Sequence, residues 1–137
     1  MKEDLLKEIY RQVDLNEKDL PIVSLELFFE GNDDTGSIGC NLLEHPGTEK
    51  FYAVLKEIRD RENVQDVLVE IMEYDEDESM WPFSERVYII TSVSKNEIRD
   101  WAEELEIDEI GEGYEYGKPV EAPVQKEGYH VYSLWWD

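Results

Sequence analysis

The chain has 137 residues, of which 35 are acidic and 13 basic, and its formal net charge is −22. Hydrophobic residues make up 41% and aromatic residues 12%, which excludes the disordered class, where aromatic residues are scarce. This length predicts one domain, residues 1–137, with one core. A field this negative repels phosphate groups and anionic lipid, so binding to nucleic acid or to a membrane surface is disfavoured.

The sequence also predicts where the protein resides. Its uncharged runs are far shorter than the ~20 apolar residues of a membrane helix, and its first residues lack the apolar centre of a signal peptide. Cys40 is the single cysteine, so no internal disulfide can form. These features predict a soluble cytoplasmic protein in a reducing compartment.

The first half of the chain mixes helical and strand patterns. Apolar residues at helical spacing predict amphipathic helices over residues 2–13 and 48–62. Between them, residues 22–30 alternate apolar and mostly polar side chains, which predicts a strand with one wet face. A glycine-rich loop, residues 31–39, leads to a short strand at residues 40–43 that would pair with residues 22–30 as a hairpin.

The stretch from Trp81 to Trp101 predicts the centre of the fold. Residues 87–92 carry no charge on either alternating face, which is typical of a middle strand that is covered on both sides. Ser94 and Glu97 have the spacing of a capping box and predict the start of a helix. Its apolar stripe continues to Leu105 and would pack against the sheet.

The remaining elements complete an α+β domain. Residues 67–71 predict a third strand, residues 107–116 a short edge strand and residues 129–136 a final strand with aromatic residues on both sides. Residues 117–126 contain two prolines and are expected to be irregular. The total is three helices and about six short strands, and hairpin-length connections favour a mostly antiparallel sheet.

Motifs for chemistry are absent or incomplete. Calcium-loop templates that begin at Asn32 or Asp75 lack required ligands. Cys40 and His45 could form a nucleophile and its base, but the acidic surroundings disfavour a thiolate. The two histidines lack zinc spacing, and among 35 acids some carboxylate pairs fall close together by chance. We therefore expect no metal, no cofactor and no catalytic residue, and the pattern favours a binding protein over an enzyme.

Aromatic residues beside an acidic loop suggest a surface for a basic partner. Tryptophan supplies large rigid contact area, and carboxylates pair with Lys or Arg. The charge supports this, because residues 62–121 contain 19 acids and 4 bases. The residues expected to bind the partner are Asp75, Glu76, Asp77, Glu78, Trp81, Phe83, Glu103 and Glu112. The simpler interpretations are that the acids only maintain solubility and that the tryptophans only close the core.

In general character, as a small, stand-alone acidic domain, the chain is similar to bacterial immunity proteins and nuclease inhibitors. This resemblance rests on size and charge, without a shared motif, and it implies that the basic partner is a toxin or nuclease domain. The alternative is a small-ligand-binding or hydrolytic domain with a pocket at the loop Gly31–Cys40, lined by Asp33, Asp34, Tyr132 and Trp135. A monomer and a homodimer are both compatible with the sequence.

Overall fold

In a computed structural model, which describes residues 2–75 and 80–137, five strands form one antiparallel sheet with the order β1-β2-β3-β5-β4. The strands are β1 Ile22–Ser24, β2 Val64–Glu70, β3 Arg86–Thr91, β4 Glu109–Glu112 and β5 His130–Trp135. Three residues of the expected partner site, Glu76, Asp77 and Glu78, lie outside the described residues.

Four α-helices accompany these strands in the described part of the chain. They are α1 Lys2–Leu15, α2 Leu25–Phe29, α3 Thr48–Arg59 and α4 Lys95–Trp101, and a 3-10 helix, Glu103–Leu105, follows α4. The α+β class and the antiparallel sheet are confirmed. The structure has five strands where about six were expected, and one more α-helix than was predicted.

The central strand β3 is covered on both faces, as its sequence predicted. All six of its residues are buried, and β2 and β5 pair with its two edges. Val87 and Ile89 face the core under the helices, whereas Tyr88 and Ile90 face a second apolar cluster on the opposite side. Because a strand buried on both faces cannot tolerate exposed charge, its uncharged sequence was a reliable signal.

The larger core lies between the sheet and the helices. Ile9, Phe28, Leu55 and Ile98, one from each α-helix, are fully buried in it. Burying an apolar side chain of this size contributes about 1.5–3 kcal/mol. The helix α4 starts as predicted, because the Ser94 side chain accepts a hydrogen bond from the backbone N–H of the third helical residue.

The opposite face of the sheet is covered by residues 113–129, which we call the covering segment. Tyr114 of this segment meets the ring of Tyr88 edge-on, with ring centroids 4.8 Å apart. Gln65 of β2 fixes the segment further along, because its side chain accepts from the N–H of Lys126 and donates to the carbonyl of Val124, each at 2.8 Å. Part of this segment was predicted to be irregular, and the structure uses it as a second layer.

The strand predicted for residues 22–30 is wrong in its second half. β1 ends at Ser24, whose hydroxyl accepts the N–H of Leu27 and caps α2. Leu25, Phe28 and Phe29 are buried on α2. The apolar residues of this stretch satisfy period two and the i, i+3, i+4 helical spacing at once, so the cap and the tertiary contacts decided between them.

The strand predicted for residues 40–43 is also wrong. The N–H of Leu42 bonds the carbonyl of Gly39 in a turn, and Leu43 is fully exposed. Gly39 has φ +62°, and a Cβ atom there would lie 2.9 Å from the ring of Phe51. The expected hairpin is therefore absent, and β1 pairs with β2 instead.

A side chain closes the outer edge of β1. The Gln12 side chain of α1 donates to the carbonyl of Ile22 at 2.8 Å and accepts from its N–H at 3.0 Å. Ile22 points these two backbone groups away from β2, because the carbonyl of the preceding residue bonds β2. A strand edge that is satisfied in this way cannot pair with another strand.

We predict that Gln12→Ala lowers the free energy of unfolding by about 2 kcal/mol, because two buried backbone groups lose their partners. Urea denaturation measures the change. Lys7→Ala, an exposed position of the same helix, is the control and is expected to stay within about 0.5 kcal/mol of the wild type. Equal stability of the two variants would contradict the role given to Gln12.

Candidate functional site

A groove opens where the pairing of β2 and β3 extends past the sheet. Glu73 and Phe83 form an isolated antiparallel bridge, in which the N–H of Phe83 donates to the carbonyl of Glu73 at 2.7 Å. Described residues on both sides of this bridge line a groove of about 420 Å³. Its lining residues are Met72, Glu73, Tyr74, Asp75, Met80, Trp81 and Phe83. We call it the Trp81 groove.

The Trp81 groove combines apolar contact area with negative charge. Met80 is 65% exposed and Tyr74 37%, whereas Trp81 and Phe83 are half-buried. The indole Nε1 of Trp81 is shielded from solvent and has no hydrogen-bond acceptor among the described residues. An unsatisfied donor of this kind costs free energy.

The glycine-rich loop packs beside the Trp81 groove. A side-chain oxygen of Asp34 accepts the backbone N–H of Trp81 at 3.3 Å, and the carbonyl of Ser37 accepts the N–H of Ser84 at 2.7 Å. The structure thus brings together two regions that the sequence assigned to competing hypotheses. Asp34 places a further carboxylate near the groove, which raises its negative charge.

The polar side chains of this loop are used to shape the loop. Asn32 accepts from the N–H of Asp34 and donates to the hydroxyl of Ser37, each at 2.9 Å. Asp34 in turn accepts from the N–H of Gly36 at 2.9 Å. Such side-chain turns are a common role for Asn and Asp. Asp33 is exposed beside them.

His45 is engaged with the backbone rather than with Cys40. Its Nε2 lies 2.7 Å from the carbonyl oxygen of Ile38, and its Nδ1 accepts the N–H of Gly47 at 2.9 Å. Both ring nitrogens are therefore occupied, and Cys40 is an exposed free thiol. The arrangement gives no support to a nucleophile and base at these two residues.

The four residues of the alternative pocket are not gathered in one place. Tyr132 and Trp135 are three residues apart on β5, so their side chains point to opposite faces of the sheet. Tyr132 is buried in the core under the helices, and Trp135 lies half-buried on the other side. Asp33 and Asp34 belong to the loop that packs by the helical face through Ile38.

Glu103 and Glu112 occupy different parts of the surface, and both are exposed. Glu112 ends β4 opposite Tyr132, which pairs with Ile89 of β3. Since Phe83 precedes Ile89 by six residues, Glu112 lies about 20 Å along the strand direction from the level of Phe83. Glu112 is therefore separate from the Trp81 groove. Glu103 begins the 3-10 helix, which lies nearer to the groove end of the sheet, because the carbonyl of Leu105 in this helix accepts a hydrogen bond from Trp136, the residue after β5.

The contacts of Trp136 locate the 3-10 helix. The indole N–H of Trp136 donates to the carbonyl of Leu105 at 2.8 Å, and its backbone N–H donates to the carbonyl of Glu85 at 3.0 Å. Glu85 immediately precedes β3, two residues after Phe83. Glu103 is thus held at the same end of the sheet as the Trp81 groove.

A second hollow, of about 570 Å³, lies at the opposite end of β5. Its lining residues are Glu112, Gly113, Tyr114, Lys118, Gln125, His130, Val131 and Tyr132. It mixes acidic, basic and aromatic side chains.

Across residues 2–75 and 80–137, no group of three or more His, Cys, Asp or Glu residues is arranged to hold a metal ion. In the same residues, no helix is long and apolar enough to cross a membrane.

A buried polar cluster under the covering segment was missed by sequence reasoning. The hydroxyl of Tyr88 donates to Glu70 at 2.7 Å and accepts the N–H of Glu115 at 3.2 Å. Arg86 donates to the hydroxyl of Ser133 at 2.5 Å, and its guanidinium lies 3.9 Å from Glu70. Glu70 at the end of β2 and Arg86 at the start of β3, each next to apolar residues of its strand, were the available signal, although spacing alone could not show that they pair.

Burial raises the pKa of Glu70, although the hydrogen bond from Tyr88 and the charge of Arg86 oppose this rise. The carboxylates of Glu115 and Glu85 raise it further. The folded protein therefore binds a proton at Glu70 more tightly than the unfolded chain does. The stability from this group is fully present below the ordinary pKa of 4.5 and is lost as pH rises through the higher folded pKa.

We predict that the free energy of unfolding falls as pH rises from 4.5 towards neutrality, and that Glu70→Gln makes this fall smaller. Urea denaturation at several pH values measures both slopes. Glu97→Gln, which removes one exposed carboxylate of α4, controls for the change in net charge. An identical slope in the wild type and Glu70→Gln would show that Glu70 is not the titrating group.

Together, fold and surface define a small acidic α+β protein whose sheet has helices on one face and an irregular segment on the other. The chain belongs to the Uncharacterized protein YfbO family, whose model matches residues 1–134. It is similar to the Uncharacterized protein YfbO of Escherichia coli (strain K12), with 42% identity over 131 residues, or 90% of this chain and 89% of that protein. No solved structure matches the chain.

Proposed function

We propose that this protein is a non-enzymatic binding module that captures a basic protein at the Trp81 groove. The observation that carries the proposal is the composition of the groove, in which methionine and aromatic side chains lie beside carboxylates. Aromatic residues are frequent hot spots of interfaces, and methionine adapts its shape to a partner. Acidic neighbours such as Glu73, Asp75 and Asp34 favour a partner that carries Lys or Arg.

The charge of the whole chain supports the same function. A net charge of −22 raises the rate of encounter with a positive protein. Such steering is screened by salt, whereas the apolar contacts of the Trp81 groove are not. Size and charge suit an immunity or inhibitor protein that acts against a toxin or nuclease domain, and the relative in Escherichia coli is compatible with a bacterial pair of this kind.

The alternative function, ligand binding or hydrolysis at the loop Gly31–Cys40, stays a prediction. The contacts of the loop favour it less, because Asn32 and Asp34 already bond neighbouring backbone groups. A catalytic or ligand-binding carboxylate needs free lone pairs directed into a pocket. Asp33, which is exposed, is the loop residue that retains most of its bonding capacity.

We predict that Trp81→Ala weakens binding of a basic toxin domain by about thirtyfold, the loss expected for an interface hot spot of about 2 kcal/mol. Isothermal titration against a panel of purified basic toxin domains, with neutral domains of the same size, measures the affinities. Trp101→Ala is the matched control. Trp101 is also half-buried, but its ring stacks on Arg61, 4.2 Å from the ring centroid, outside the groove.

The salt dependence completes this test. Raising the ionic strength from 20 to 300 mM is expected to weaken the wild-type complex at least tenfold, because it screens the steering charges. The proposal fails if no basic domain binds at low salt, or if the affinity of a bound domain does not depend on ionic strength.

A further inference from the structure

The two edges of the sheet differ in whether their backbone groups are satisfied. The edge of β1 is closed by Gln12, as described above. At the other edge, the N–H of Gly113 donates to the carbonyl of Val131, which fixes the hydrogen-bonded pairs between β4 and β5. Because such pairs alternate along an antiparallel ladder, Ile110 and Glu112 direct their N–H and carbonyl groups outward. No described residue hydrogen-bonds these four groups.

The open edge is strongly acidic. Residues 103–117, which include β4, contain seven acids and no base. Glu109 and Glu112 are exposed at the two ends of β4. Between them, Gly111 has no side chain, and the nearest atom to a Cβ built there is 4.0 Å away. The charge of this edge therefore determines which strand fits it.

A second copy of this chain is a poor occupant of the edge. Two β4 strands paired with each other would bring glutamates close to glutamates, and like charges opposite each other destabilise a strand pair. Glu109 and Glu112 are three residues apart, so their side chains lie on opposite faces of the sheet. A strand that places Lys or Arg opposite both positions would instead form favourable pairs with them. Charge complementarity thus favours a basic partner segment over self-association.

We propose that an extended Lys- or Arg-bearing segment of the partner adds to β4 as a further strand of the sheet. This inference rests on the proposed function, since it names how part of a basic partner is held. The outward groups of Ile110 and Glu112 supply up to four backbone hydrogen bonds. In strand addition, main-chain bonds provide affinity and side chains provide specificity. The hollow beyond Glu112, which Tyr114 and His130 line, gives room for residues that flank the added strand.

Two variants of one residue separate the backbone bond from the charge. Glu112→Pro removes the outward N–H donor together with the carboxylate, whereas Glu112→Gln removes the carboxylate alone. Proline is tolerated at an edge strand where its nitrogen faces away from the sheet. Circular dichroism and thermal unfolding test whether both variants fold. The probe is an eight-residue peptide of valine and threonine with two lysines three residues apart, so that one lysine lies on each face of the added strand.

We expect this peptide to bind Glu112→Pro about fivefold more weakly than Glu112→Gln, the effect of one lost hydrogen bond. A second peptide has the same charge but carries N-methyl groups on alternate backbone amides, so it cannot form the main-chain bonds of an added strand. We expect it to bind Glu112→Pro and Glu112→Gln with equal affinity. We also expect it to bind the wild-type protein more weakly than the first peptide does. In the wild-type protein, the first peptide should slow hydrogen exchange at the N–H groups of Ile110 and Glu112. This measurement decides the question even if Glu112→Pro does not fold.

The outcomes distinguish this inference from the proposed function. If both lysine peptides bind the wild type equally well and exchange at Ile110 and Glu112 is unchanged, strand addition is wrong while capture of a basic partner stands. If the first peptide binds no better than a peptide with glutamate in place of lysine, strand addition is overturned. Capture at the Trp81 groove is then judged by the toxin-domain titration alone.

Discussion

The architecture depends on the need to cover β3 on both faces. All six residues of this strand are buried, and if the face opposite the helices lay in water, the apolar side chains of Tyr88 and Ile90 would be exposed there. Helices bury one face in the ordinary way. The other face is covered by irregular chain, which is held because the hydroxyl of Tyr88 bonds both Glu70 and the backbone of Glu115. The buried phenol of Tyr88 therefore links the sheet to its second layer, together with the Gln65 side chain, which bonds Val124 and Lys126.

This arrangement places charge in two different environments. Glu70 and Arg86 are enclosed under the covering segment, where ionised groups are costly unless they are paired and hydrogen-bonded. Most other carboxylates lie on the outside, where their mutual repulsion opposes compactness but also directs positive molecules towards the surface. Both observations follow from the free-energy cost of moving an ionised group out of water. This cost keeps most carboxylates at the surface and requires the few buried charges to be paired and hydrogen-bonded.

The sheet also ends differently on its two sides. At β1 a glutamine from α1 takes the place of a neighbouring strand, and at β4 the outward backbone groups have no partner among the described residues. The Trp81 groove lies at an end of the sheet rather than at an edge, because the bridge between Glu73 and Phe83 that borders it continues the pairing of β2 and β3 past the sheet. Groove and open edge are therefore separate surfaces with a common preference for positive charge.

Sequence alone determined the features that depend on near neighbours in the chain: the helical stripes of α1 and α3, the uncharged strand β3 and the cap of α4. The sequence pattern predicted a strand for all of residues 22–30, where the apolar residues fit both the strand period and the helical period. The cap that Ser24 forms on α2 decides for a helix after β1. The sequence could not reveal contacts such as Gln12 with Ile22, Glu70 with Tyr88 or Asp34 with Trp81, which are 10, 18 and 47 residues apart. Only the tertiary structure decided these, because residue spacing carries no information about which distant groups the folded chain brings into hydrogen-bond distance.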